Sequence, residues 1–109
     1  MKREFVMTGV FDRNWEQMGL TESDLKNLQD ALLMDPKVGA VIPHLGGARK
    51  IRFGLRTHGK SGGVRIIYVD VVVKERIYLL TAYPKNIQEN LTPEQKKAIA
   101  QLVKTLKEE

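Results

Sequence analysis

A chain of 109 residues with 42% hydrophobic residues, no cysteine and a net charge of +5 has the size of one domain, residues 1–109, around a single core. It can form no disulfide and no thiolate metal site, and none of its apolar runs approaches the roughly 20 residues of a membrane helix. With no signal-like apolar stretch after Met1, a cytoplasmic protein without a membrane partner is expected, and its positive balance favours an anionic partner.

Residues 3–10 (Arg3-Glu4-Phe5-Val6-Met7-Thr8-Gly9-Val10) lean towards β structure and predict a first strand. Phe11, Trp15 and Met18 then recur at helical spacing. Thr21-Glu22-Ser23-Asp24 reads as a capping box that opens a second helix, with Leu25, Leu28 and Leu32 on one face and an end before Pro36. Residues 36–47 read as a loop, apolar enough through Val38, Val41, Ile42 and Leu45 to pack against the body of the domain. Strands are predicted at about 48–56, 63–73 and 76–84, the last two joined as a hairpin near Lys74-Glu75. Thr92 as N-cap, Pro93 at the first helical position and Gln95 three residues after Thr92 mark a terminal helix with an apolar stripe of Ile99, Leu102, Val103 and Leu106. The order β-α-α-β-β-β-α implies an α+β fold, a small antiparallel sheet with packed helices.

Charge is unevenly placed along this order. From Lys37 to Val69 the chain carries Lys37, Arg49, Lys50, Arg52, Arg56, Lys60 and Arg65 and no acidic residue. Alternation of strand side chains puts Lys50 and Arg52 opposite Ile51 and Phe53. If Val64, Ile66, Leu80 and Ala82 share the core face with Ile51 and Phe53, then Lys50, Arg52, Arg65, Tyr83 and Lys85 converge on the other. Ile67, Val69, Val71, Ile77 and Leu79 would add an apolar area on that same side, further along the strands, as a seat for the terminal helix. A cationic sheet surface suits RNA or DNA, although composition alone leaves open that these are ordinary solvated charges.

Two other chemistries are disfavoured. Gly54-Leu55-Arg56-Thr57-His58-Gly59-Lys60-Ser61 satisfies the phosphate-loop pattern, and Asp70 ends an apolar run as a magnesium-binding aspartate would. A phosphate loop, however, needs a helix directly after its Lys-Ser, and here Gly62-Gly63 leads into a β-branched strand. His44 and His58 fall in different loops without ligand spacing, so no metal site and no cofactor is expected.

The segments Gly-Gly-Ala-Arg-Lys-Ile-Arg (46–52), Gly-Lys-Ser-Gly-Gly-Val-Arg-Ile-Ile-Tyr (59–68), Ile-Tyr-Leu-Leu-Thr-Ala-Tyr-Pro-Lys (77–85) and Asn-Leu-Thr (90–92) resemble the RelE/ParE superfamily of type II toxins, most closely its HigB-like branch. They cover most of the chain from Pro36 to its end. The resemblance implies the family's small sheet-and-helix fold and, for members of the RelE and HigB type, cleavage of messenger RNA in the ribosomal A site. It also implies silencing by an antitoxin, often a helix-turn-helix protein. It makes Lys50, Arg52, Arg65 and Lys85 the candidate catalytic residues, with Tyr83 and Lys60 beside them. From the cationic stretch and its loop, Arg49, Arg56, Lys60 and His58 are the candidate RNA contacts. The tyrosine of RelE's C-terminal segment has no counterpart across 87–91.

These residue types suit RNA self-cleavage, in which the 2′-hydroxyl attacks the adjacent phosphate and the protein supplies orientation, charge neutralisation and proton transfer. Arg65 would clamp the phosphate, Lys50 would act as base and Lys85 or Tyr83 as acid, or with the two roles exchanged, and Arg52 would stabilise the transition state. A ParE-like inhibitor that binds DNA gyrase and a non-catalytic RNA-binding module are the alternatives.

Overall fold

Each helix begins where a hydroxyl stands ready to cap it. In the computed structural model, which describes residues 2–54, 63–88 and 90–109, strand β1 (Glu4–Met7) stops because Thr8 accepts a hydrogen bond from the Phe11 amide and starts α1 (Gly9–Gln17). Thr21 and Asp24 form the expected reciprocal capping box of α2 (Glu22–Met34), which ends at Asp35, one residue before Pro36. Thr92 and Gln95 do the same for α3 (Pro93–Glu108). A single such cap is worth about 1 kcal/mol.

The strands form one five-stranded sheet in the order β1-β5-β4-β3-β2. Strand β2 (Ala40–Val41) is a two-residue pairing inside the predicted loop, too short to leave an alternation signal. Strands β3 (Arg49–Phe53), β4 (Val64–Val71) and β5 (Arg76–Pro84) lie within the predicted spans, with a 3-10 turn at Val72–Lys74 between the last two. The sheet is mixed, because β1 pairs with β5 in parallel while the other pairings are antiparallel. The helical crossover carries the chain from one edge to the other and delivers β2 antiparallel to β1. The three reversals of the meander then bring β5 back beside β1 in the same direction.

The loop before β2 does pack down, and one side chain holds it. The Tyr68 hydroxyl accepts from the Gly39 amide at 3.0 Å and donates to the Pro36 carbonyl at 2.7 Å. Gly39 lies so close to the sheet that a Cβ there would sit 2.6 Å from Ile51 Cγ2 and 2.9 Å from the Tyr68 ring. Burial pushes the Tyr68 phenol above its ordinary pKa, against the opposing effects of the Gly39 hydrogen bond and the Arg49 charge.

Two cores flank the sheet. Phe11 and Trp15 of α1, ring centroids 5.3 Å apart, join Leu28 and Leu32 of α2 over Val64, Ile66, Tyr68, Ile77, Leu79 and Ala82. On the other face Ile99 and Val103 of α3, with Leu102 and Leu106 against them, cover Ile67, Val69, Val71, Tyr78, Leu80 and Tyr83. Fully burying each of the larger aliphatic side chains contributes about 1.5–3 kcal/mol.

The terminal helix thus sits where it was expected, but three of the residues assigned to the faces exchange sides. Ile77 and Leu79 face α1 and α2, and Leu80 faces α3 with Tyr78. The cause is a register shift: Ile67 pairs with Thr81 and Tyr68 with Leu79, leaving Leu80 as the extra residue. The first helix and its cap bind carbonyls at and beside the bulge, with Thr8 Oγ1 donating to the Leu80 carbonyl at 2.8 Å and Asn14 Nδ2 to the Ala82 carbonyl at 3.0 Å. Simple alternation therefore holds on either side of Leu80 and fails across it.

Candidate functional site

Register brings the basic residues together. Arg52 stands opposite Arg65, and Arg65 opposite Tyr83, so the three form one cross-strand row over β3, β4 and β5. Lys50 pairs with Ile67, which places it one pleat along β3 on the same face, the face that α3 covers further on. Arg52 is exposed, Lys50 and Arg65 are half-buried, and Tyr83 is 6% exposed within the α3-side core. The Lys50 ammonium donates to Asn90 Oδ1 at 3.1 Å, tying the strand to the turn that precedes α3.

Lys85 follows the end of β5, and its amide approaches the Gly63 carbonyl at 3.4 Å. Gly63 adopts a φ of +60°, and a Cβ on it would lie 2.4 Å from the Phe53 carbonyl oxygen. That close approach anchors the start of β4 against the end of β3, two residues from Arg65. After Gly63 the chain is strand and not helix, as the reading against a phosphate loop requires. Asp70 is held by Arg3, whose Nε lies 2.8 Å from its Oδ1, both side chains about nine-tenths buried.

Arg49 does not join the row. It pairs with Tyr68 on the opposite face, and its guanidinium donates to the carbonyls of Gly39 at 2.8 Å and Lys37 at 3.2 Å. Three further expected RNA contacts, Arg56, His58 and Lys60, lie outside the described residues.

Beside Lys50 the surface sinks into a concavity of about 260 Å³ between β2 and the start of α3, walled by Ala40, Ile42, Pro43 and Leu91. Lys50, Asn90 and Lys96 supply its polar groups. Sequence reasoning gave Asn90 no role at the site, and the walls Ala40, Ile42 and Pro43 come from a segment read as loop. What could have drawn attention to Asn90 was its place in the Asn-Leu-Thr segment just before the helix cap.

The sequence model of the RelE family, described as the RelE toxin of the RelE/RelB toxin-antitoxin system, matches residues 5–109. The chain belongs to the RelE toxin family. Solved structures agree with this RelE-family assignment at the level of the fold. A double arginine mutant of E. coli toxin RelE in the free state superposes with a TM-score of 0.60 at 17% identity, over 94% of this chain and 97% of that one. The intact E. coli RelBE toxin-antitoxin complex contains a chain that matches with a TM-score of 0.57 at 18% identity, over 77% of this chain and 96% of its own. Among the described residues of this RelE-family protein, no helix is long and apolar enough to cross a membrane.

Proposed function

We propose that this RelE-family protein is the toxin of a toxin-antitoxin pair and acts as a ribosome-dependent messenger RNA endoribonuclease in the cytoplasm. The observation that carries the reading is the registered row Arg52, Arg65 and Tyr83 with Lys50 one pleat away, on one face of a rigid sheet. Such a row offers fixed cations to a phosphate as its charge grows in the transition state. Acting as the neutral amine, Lys50 takes the proton of the 2′-hydroxyl, and that oxygen attacks the adjacent phosphorus while Arg65 holds two phosphate oxygens. Arg52 stabilises the added charge, and the departing 5′-oxygen receives a proton from Lys85 or Tyr83. The segments 46–52 and 59–68 support placing the chain in the HigB-like branch. The relationship to a toxin seen with its antitoxin supports a cognate antitoxin as partner, of the helix-turn-helix type in that branch.

The test is to add purified protein to translating ribosomes and map the new RNA ends. Cutting is expected to survive EDTA where the ribosome stays intact, to leave a 2′,3′-cyclic phosphate upstream and a 5′-hydroxyl downstream, and to stop with a 2′-deoxy nucleotide at the cut site. A 5′-phosphate product would refute the mechanism. No cutting at all, together with inhibited supercoiling by gyrase, would favour the ParE-like alternative; neither effect would leave a module that only binds RNA.

A further inference from the structure

We infer that Gln88 is a positioning residue: it locks the turn between β5 and α3, so that Asn90 holds the Lys50 side chain in a fixed place beside the cationic row. The inference rests on the endoribonuclease reading for what Lys50 does there, and deepens it. The chain leaves β5 in a tight turn, with the Ile87 and Gln88 amides 3.2 and 3.4 Å from the Pro84 carbonyl. It enters α3 at Thr92, once Leu91 has been buried in the core that this helix covers. Gln88 ties the turn to the helix. Its Nε2 donates to Gln95 Oε1 at 2.8 Å and to the Asn90 carbonyl at 2.9 Å. The same Gln95 oxygen accepts from the Thr92 amide at 2.9 Å, so Gln88 extends the capping box of α3 back into the turn. Both N–H groups of the Gln88 amide are thereby used. The Asn90 backbone is pinned to the end of a helix that is itself packed on the sheet through Ile99 and Val103.

The effect reaches the row through the Asn90 side chain, whose Oδ1 accepts from the Lys50 ammonium at 3.1 Å. A lysine carries its nitrogen on a flexible four-carbon stem, so the position of that nitrogen depends on what holds its far end. The bond to Asn90 engages one N–H and leaves the lone pair of the neutral amine free to face the 2′-hydroxyl. A general base has to lie within hydrogen-bond reach of the proton it takes, and a misplacement of about 1 Å costs about a hundredfold in rate. Gln88 therefore acts on the reaction at two removes, through Asn90 and then Lys50.

The first test uses translating ribosomes and three variants: Gln88→Met, which keeps the size of the side chain without its donors, Asn90→Ala, and the two combined. Gln88→Met is expected to lower kcat for cutting about tenfold while KM for the ribosome stays within about twofold. Asn90→Ala is expected to lose at least as much. The pair should lose no more than Asn90→Ala alone, because both changes act through one hydrogen bond. Losses that multiply in the pair, or a urea midpoint lowered in Gln88→Met with kcat unchanged, overturn the inference and leave Gln88 as part of the helix cap. The second test needs no cleavage and reads the side-chain amide signals of Asn90 by NMR in the isolated protein. Lys50→Met is expected to shift those signals, and Gln88→Met to shift them in the same direction. That result supports the coupling even if the wild type cuts no RNA and the endoribonuclease reading falls. Asn90 signals that stay in place in Gln88→Met overturn it.

Discussion

Arg65 combines two environments: its backbone lies in the central antiparallel pairings, and its side chain lies between Arg52 and Tyr83. Arg65→Ala is expected to abolish growth inhibition while changing stability by less than about 1 kcal/mol, since the side chain is half-buried and outside the two apolar clusters. Toxicity assays beside thermal unfolding decide this; full toxicity would rule out a phosphate clamp. Tyr68 is the opposite case, a wholly buried residue whose hydroxyl serves the fold. Tyr68→Phe strands the Gly39 amide and the Pro36 carbonyl and is expected to cost about 1–3 kcal/mol. Because burial raises the Tyr68 pKa in the folded state, the unfolded chain loses this proton first. The associated stability is intact below about pH 10 and falls as pH rises through the raised folded value. Denaturant titrations at increasing alkaline pH should show that loss in the parent and a shallower one in Tyr68→Phe.

At the level of elements, the bulge at Leu80 decides which side chains β5 offers to each face. Without the extra residue, Leu80 and Tyr83 would lie on opposite sides of the sheet; with it, both face α3. The first helix stabilises the bulge from the other face through Thr8 and Asn14. Asn14→Ala is expected to lower stability by about 1 kcal/mol and to reduce RNA cutting several-fold, although Asn14 lies on the far side of the sheet from Arg65. Thr8→Val, which removes both the helix cap and the bond to the Leu80 carbonyl, is expected to cost about 1–2 kcal/mol. Urea midpoints measure the stability change. Faster hydrogen exchange at the Tyr83 amide in both variants would locate it at the bulge; exchange unchanged there would separate the bulge from these two side chains.

For the whole molecule, α3 covers one face of the sheet, joined at its edges by Leu45 and Leu91. It is fastened at several points: Ile99 and Val103 are buried, the Lys74 ammonium donates to the Leu106 carbonyl at 2.7 Å, and the Lys107 ammonium donates to the Gly46 carbonyl. Deleting residues 92–109 exposes Ile67, Val69, Tyr78 and Leu80 and is expected to cause aggregation or loss of cooperative unfolding. Size-exclusion chromatography with light scattering and a denaturant melt check this, and a soluble, monomeric, cooperatively folded truncation would show that the face needs no cover.

Local chemistry was legible in the sequence wherever neighbouring residues decide the outcome. The Thr21–Asp24 and Thr92–Gln95 caps, the stop before Pro36, the stripe of α3 and the Lys50/Arg52 parity all follow from short-range geometry, in which one residue's position dictates the next. The RelE-like motifs between Gly46 and Thr92 pointed to the family by the same kind of local pattern. Tertiary structure alone decided what depends on residues distant in sequence. The parallel pairing of β1 with β5 follows from the path of the whole chain, and β2 exists because Tyr68 holds the backbone around Gly39 against β3. The bulge at Leu80 broke the parity of β5 through Thr8 and Asn14, some seventy residues earlier in the chain. Arg49, two residues before Ile51 in an alternating strand, carries a charge legible in the sequence, but only the folded loop supplies the Lys37 and Gly39 carbonyls to which it donates on the other face. The concavity beside Lys50 belongs to no single segment, and it exists only where β2, β3 and the start of α3 meet.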